Sequence, residues 1–114
     1  MKRQFVLYIT TNPKRKILYI GVTNNLPQRL SEHYFNRGSK TSFAGKYYCY
    51  NLLYYEEGDD PYIAIGREKE IKGWKRAKKL ELIESINPYW DFLNSEIMKW
   101  PPDESEFFSR NTDR

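Results

Sequence analysis

Residues 4–22, QFVLYITTNPKRKILYIGV, decide how this chain begins to fold. Two runs rich in β-branched, aromatic and aliphatic residues, Gln4 to Thr10 and Lys16 to Val22, flank a turn around Asn12-Pro13. Such residues suit a pleated, half-buried surface, and asparagine followed by proline favours chain reversal, so a β-hairpin is expected. On its paired strands Tyr8 and Tyr19 can share one sheet face, with the register left open by the turn.

Working outward, Leu26 to Phe35 reads as a helix with Asn25 as its cap. Polar and glycine-containing residues from Asn36 to Gly45 form a loop leading to a third strand near Tyr48 to Glu56, and Glu57-Gly58-Asp59 turns the chain again. Asp60 as N-cap and Pro61 at the first helical position start the next helix, whose inward positions run Ala64, Ile65, Glu68, Ile71. Lys75 to Ser85 makes another helix, with Ala77, Leu80 and Ile83 on one stripe, stopped by Asn87-Pro88. Tyr89 to Met98 adds a short final turn or helix. The element order is ββα-β-αα, with one domain over residues 1–98 and a flexible C-terminal tail over 99–114.

Glu68 stands out, because it is a carboxylate in an apolar helical stripe. An unpaired buried charge costs on the order of 3 kcal/mol or more, so a metal ion or an arginine is expected opposite it, or else a purely structural ion pair.

Composition narrows the function classes. The chain has 114 residues with 19 basic and 15 acidic side chains, a formal charge of +4 that is unevenly spread. Between Arg67 and Lys79 seven basic residues face two acidic ones, and Lys14, Arg15 and Lys16 form a second basic set. Such clusters suit a polyanion, nucleic acid being the commonest, although lysines on a helix also serve as a plain solvated face. The single cysteine, Cys49, excludes an intrachain disulfide and a cysteine-rich metal cluster and points to a reducing, cytoplasmic home. No apolar run approaches the length of a membrane span, so no membrane association is expected.

Arg29 and His33 are four residues apart on the first helix and project from the same side. Together with Tyr8, Tyr19 and Glu68 they form an inventory of phenols, guanidinium, imidazole and carboxylate suited to phosphodiester cleavage. At this point the order of residues becomes specific. Tyr8, then Tyr19-Ile20-Gly21 eleven residues on, then Arg29, His33, Glu68 and Asn87 resemble the motif series of the GIY-YIG endonuclease domain. The stretches Leu18-Tyr-Ile-Gly-Val-Thr-Asn-Asn-Leu26, Glu56-Glu-Gly-Asp-Asp60 and Arg67-Glu-Lys-Glu-Ile-Lys-Gly-Trp-Lys-Arg76 are similar in particular to its small stand-alone bacterial branch, and the resemblance covers roughly residues 4 to 92.

The resemblance implies an α/β (α+β) fold with a three-stranded antiparallel sheet flanked by helices, and a one-metal endonuclease acting on DNA, with RNA as the other candidate. It implies that Glu68 holds a divalent cation, Mg²⁺ or Mn²⁺, which hard oxygen ligands suit. Arg29 neutralises charge on the phosphorane, one of Tyr8 and Tyr19 deprotonates or orients the attacking water, and His33 assists that tyrosine. A tyrosine with its ordinary pKa of about 10 is a poor base at neutral pH, so a nearby cation must lower it or its proton must be relayed. Asn87 positions the site and Gly21 allows close backbone approach on the strand.

Three positions depart from the family pattern. Val6-Leu7 replace the glycine and isoleucine of the first motif, and Val22 stands where some branches carry a lysine, whose role Lys46 is a candidate to fill. With no second domain in this sequence, substrate choice falls to the core surface or to a targeting partner protein. Lys72, Lys75, Arg76, Lys78 and Lys79 are the candidate phosphate contacts. A catalytically idle nucleic-acid-binding module and a partner-docking protein on the same fold are the competing functions, and retention of all six polar motif positions argues against the first.

Overall fold

The structure, a computed structural model, describes residues 4–105. Its elements are β1 (Phe5–Thr11), β2 (Leu18–Thr23), α1 (Leu26–Phe35), α2 (Phe43–Lys46), β3 (Asn51–Gly58), α3 (Pro61–Lys72), α4 (Arg76–Ile86) and α5 (Asn94–Ile97). The strands form one sheet in the order β2-β1-β3, both pairings antiparallel, so the expected fold class holds.

The hairpin closes because Asn12 Oδ1 accepts hydrogen bonds from the Lys16 and Ile17 amides at 2.8 and 3.0 Å, while Arg15 takes the left-handed conformation at φ 59°. Asn25 caps α1 by accepting from the Gln28 amide, and Asp60 caps α3 by accepting from Tyr62 and Ile63, both as read from sequence. Two elements differ from expectation. The loop after α1 contains the short helix α2, capped by Ser42, and β3 starts at Asn51 rather than Tyr48 because Tyr48 sits at φ 59°, outside the extended region.

Alternation along β1 sends Leu7 and Ile9 to one face and Val6 and Tyr8 to the other. The first face packs on Ile71 of α3 and Ile83 of α4, the second on Leu26 and Leu30 of α1. On α3 the buried line is Ala64 and Ile71, spaced by two turns, and Ile65 is 43% exposed. The inward stripe expected through Ile65 and Glu68 is therefore rotated, and Glu68 lies at the rim of the helix contact rather than in the core. Residues on both sides of the boundary expected at Met98 pack on the α1-side core: the Trp100 ring lies 5.3 Å from that of Tyr34. Residues 106–114 of the expected tail lie outside the described residues. No described helix is long and apolar enough to cross a membrane.

Candidate active site

Tyr8 is fully buried in the central strand, with Gly21 opposite it on β2. A methyl group at Gly21 would stand 2.6 Å from the Tyr8 hydroxyl and 2.7 Å from Cζ, so the phenol occupies the space that glycine leaves. The Tyr8 oxygen lies 2.8 Å from His33 Nε2 and accepts a hydrogen bond from Arg29 Nε at 3.3 Å. Because the guanidinium only donates, the phenol oxygen accepts from Arg29, and either the phenol or the imidazole supplies the proton shared with His33 Nε2. Tyr19 completes the group with its ring 6.2 Å from Tyr8 and 5.2 Å from His33, on the shared sheet face expected from the hairpin. Tyr19 keeps partial exposure where Tyr8 has none.

The electrostatics follow from burial. His33 is pushed down to about 4, by loss of solvent first and by the Arg29 cation second, so the imidazole is a neutral acceptor at pH 7. Burial also raises Tyr8, reinforced by neighbouring Tyr19 and opposed by Arg29. The cation beside Tyr8 thus opposes the effect of burial without cancelling it. Burial works against the charge of Arg29, but hydrogen bonds to Glu32 at 2.9 Å and to the phenols hold its pKa above the ordinary arginine value.

Glu68 sits on the other helix layer. It lines an open groove with Phe5, Val22, Thr23, Asn24, Pro61 and Ile65 where β2 ends, and its Oε2 is 3.0 Å from Lys72 Nζ. Of the partners expected opposite Glu68, a metal ion, an arginine or a structural ion pair, the structure shows an ion pair, to an exposed lysine one turn along. Among the described residues no hydrogen bond or ion pair joins Glu68 to Tyr8, Tyr19, Arg29 or His33. Among them, too, no group of three or more histidine, cysteine, aspartate or glutamate residues is placed to hold a metal. One accessible carboxylate is nevertheless a donor set that fits Mg²⁺ or Mn²⁺, ions that keep several waters and take further oxygens from a substrate phosphate.

Asn87 does not join the group. Its amide donates to the Leu53 and Asp91 carbonyls, both at 2.9 Å, and fastens the end of α4 to β3. The proposed phosphate contacts also divide. Lys72 is engaged by Glu68, Lys78 lies 4.4 Å over the Trp74 ring, and Lys75, Arg76 and Lys79 open α4 beside them, on the face away from the tyrosines. Lys46 is on α2, on the tyrosine side. Two residues escaped the sequence reading. Glu32, the partner of Arg29, was legible as an i,i+3 charge pair. Phe43, stacked at 26° on Tyr19, was not, because nothing in a polar loop announces which side it faces.

The GIY-YIG catalytic domain matches residues 4–81, and the chain belongs to this family of nucleases. It is similar, at 34% identity over 68 residues, to the UPF0213 protein in ldhD 5'region of Pediococcus acidilactici, an alignment spanning 60% of this chain and 69% of that protein. No solved structure matches. Asn87 lies beyond the matched residues.

Proposed function

We propose that the protein is a metal-dependent endonuclease that hydrolyses phosphodiester bonds in DNA, in repair or recombination. The observation that carries the reading is the Tyr8 hydroxyl held between Arg29 Nε and a neutral His33 Nε2. A binding module needs cations but has no use for a buried phenol aimed at an uncharged imidazole.

Glu68 would hold the divalent ion, which when bound polarises a phosphate oxygen and stabilises the leaving 3′ oxygen. The other residues divide the remaining work. Tyr19, the more exposed phenol, meets the attacking water. As the water oxygen bonds to phosphorus and the bond from phosphorus to the 3′ oxygen breaks, the water proton passes through the Tyr19 hydroxyl to solvent and the 3′ oxygen takes one up from solvent, while Tyr8, bonded to His33 and Arg29, holds the Tyr19 side of the site in place. Arg29, a permanent cation at the edge of the pair, offsets charge gathering on the phosphorane. Phosphate contacts from Lys46, Lys75, Arg76 and Lys79 would position the strand without reading its bases.

The test is cleavage of labelled single-stranded, duplex, flapped and four-way-junction DNA with Mg²⁺ or Mn²⁺, beside Glu68→Gln and EDTA controls. Metal-dependent cutting lost in the variant supports the nuclease. Folded protein that binds in a salt-sensitive way but cuts nothing would replace this reading with the idle module.

A further inference from the structure

The segment between α1 and β3, unassigned by the catalytic reading, carries a surface of its own. From His33 to Tyr55 the chain has no acidic residue, while Arg37, Lys40 and Lys46 are all basic. Its aromatic residues are not tucked away. Phe43 is 51% exposed, and its ring runs within 26° of parallel to that of Tyr19 at 6.2 Å. The Tyr47 ring leans on Phe43 at 4.8 Å, tilted by 53°, with Lys46 Nζ 5.4 Å from the Tyr47 ring.

This platform is built rather than loose. Gly45 is buried so tightly that a methyl group there would stand 2.7 Å from the Asn36 carbonyl and 2.8 Å from Ser42 Oγ. Gly38 donates to the Gly45 carbonyl at 2.8 Å, Cys49 donates to the Ala44 carbonyl at 2.9 Å, and Ser42 caps α2. An apolar ring costs free energy to hold in water, yet this one is held beside the phenol that meets the attacking water.

We propose that Phe43, backed by Tyr47 and flanked by Lys46, is a stacking site for an unpaired nucleobase next to the scissile phosphate. The inference rests on the nuclease reading of the Tyr8, Tyr19 and His33 group and goes beyond it by naming the substrate class: a strand unpaired at the cut. A base inside a duplex has both π-faces covered by its neighbours and offers none to Phe43, whereas every unpaired base offers one whatever its sequence. Lys46 supplies the cation for the adjoining phosphate. The surface therefore selects for strand structure and is indifferent to sequence.

The test measures binding first and cleavage separately. Fluorescence anisotropy in EDTA compares the full chain with Phe43→Ala, Phe43→Trp and Lys46→Ala on oligo-dT, oligo-U and a duplex of equal length. A second probe places 2-aminopurine in the single strand, where stacking quenches its emission. Phe43→Ala should weaken oligo-dT binding roughly tenfold and abolish the quenching, with duplex binding unchanged, and Phe43→Trp should restore both. Tighter oligo-U than oligo-dT binding, with the same dependence on Phe43, would support the site and identify RNA as its source. Because Phe43 is half-exposed, the variant should keep the fold, and circular dichroism of the variant checks this. Absent single-strand binding by the parent chain, or equal affinities of parent and Phe43→Ala, would overturn the proposal. Cleavage of oligo-dT that ignores Phe43→Ala would overturn it while leaving the nuclease standing. Phe43-dependent binding with no cleavage under any metal would do the reverse.

Discussion

On the α1 face of the sheet the buried Tyr8 and His33 are bonded to each other and Tyr8 also to a partly exposed Arg29, whereas on the α3 face the Glu68 carboxylate has one ion pair, to an exposed lysine. Tyr8, His33 and Arg29 are joined by hydrogen bonds at 2.8 and 3.3 Å around a phenol with no exposure. Glu68 has a single ion pair, with side-chain exposures of 21% for the acid and 52% for Lys72. The physics differs accordingly. A desolvated network is costly to break and fixes geometry, while an exposed pair is worth about 0–1 kcal/mol and is screened by salt. The Tyr8 network is therefore part of the fold, and the Glu68 carboxylate is left free to exchange partners.

The sharpest way to separate the two faces is Glu68→Gln. It keeps the shape and hydrogen-bonding capacity of the side chain and removes only the charge. Cleavage should fall by about a thousandfold, the scale for losing a group that stabilises developing charge. The melting temperature should move by no more than about 4 °C, since only a weak surface pair is lost. A large loss of stability would mean that Glu68 belongs to the fold after all, and normal cleavage would remove it from the chemistry.

His33 tests the other face through pH. Its pKa is about 4 in the folded protein against 6.5 for the ordinary imidazole, so between those values the unfolded chain binds the extra proton. Stability contributed by this group is complete above pH 6.5, falls as the pH drops, and is gone below about 4, a change of about 3 kcal/mol. Urea denaturation at pH 7 and pH 4 should show that fall in the parent chain and a smaller one in His33→Gln, whose amide does not titrate. Equal falls would mean that the imidazole is not buried.

Gly21→Ala attacks the same network from the backbone side. The added methyl meets the Tyr8 ring at 2.6 and 2.7 Å, and a ring buried in the central strand has nowhere cheap to go. Overpacking of this kind costs about 1–3 kcal/mol. Cleavage should fall about a hundredfold, because the phenol must leave His33. An alanine variant with parental stability would show that Tyr8 has slack the structure does not display.

Much of this was legible beforehand because it is local. Asn12, Asn25 and Asp60 announce their turn and caps by side chain, and all three make the expected bonds. The shared face of Tyr8 and Tyr19 follows from period two once the hairpin closes in register, with Tyr8 opposite Gly21 and Thr10 opposite Tyr19. The errors came where one rotation or one backbone angle decides. With Ala64 and Ile71 as the true buried line, the neighbouring Ile65 turns outward and carries the expected stripe with it. The left-handed Tyr48 is hidden inside a tyrosine-rich run that reads as strand. Burial-driven pKa shifts at Tyr8 and His33 were beyond reach, since no sequence pattern states how much solvent a side chain loses.

The smallest effect tests whether the half-open acid is as exchangeable as its exposure suggests. Lys72 Nζ is 3.0 Å from Glu68 Oε2, which makes it the competitor of any cation for that carboxylate. Its removal in Lys72→Ala should cost the fold only a few tenths of a kcal/mol, as for other i,i+4 helical pairs. A divalent ion should gain by a similar amount, so Mn²⁺ affinity measured by electron paramagnetic resonance without nucleic acid should rise about twofold at low salt. The gain should shrink as ionic strength passes about 0.1 M, where charges on the surface are screened within about 10 Å. Glu68→Gln in the same titration should abolish binding and the salt effect together. Weaker Mn²⁺ binding in Lys72→Ala would mean that Lys72 orients the carboxylate for the ion instead of competing with it, and the two faces would then be alike in holding their groups in place.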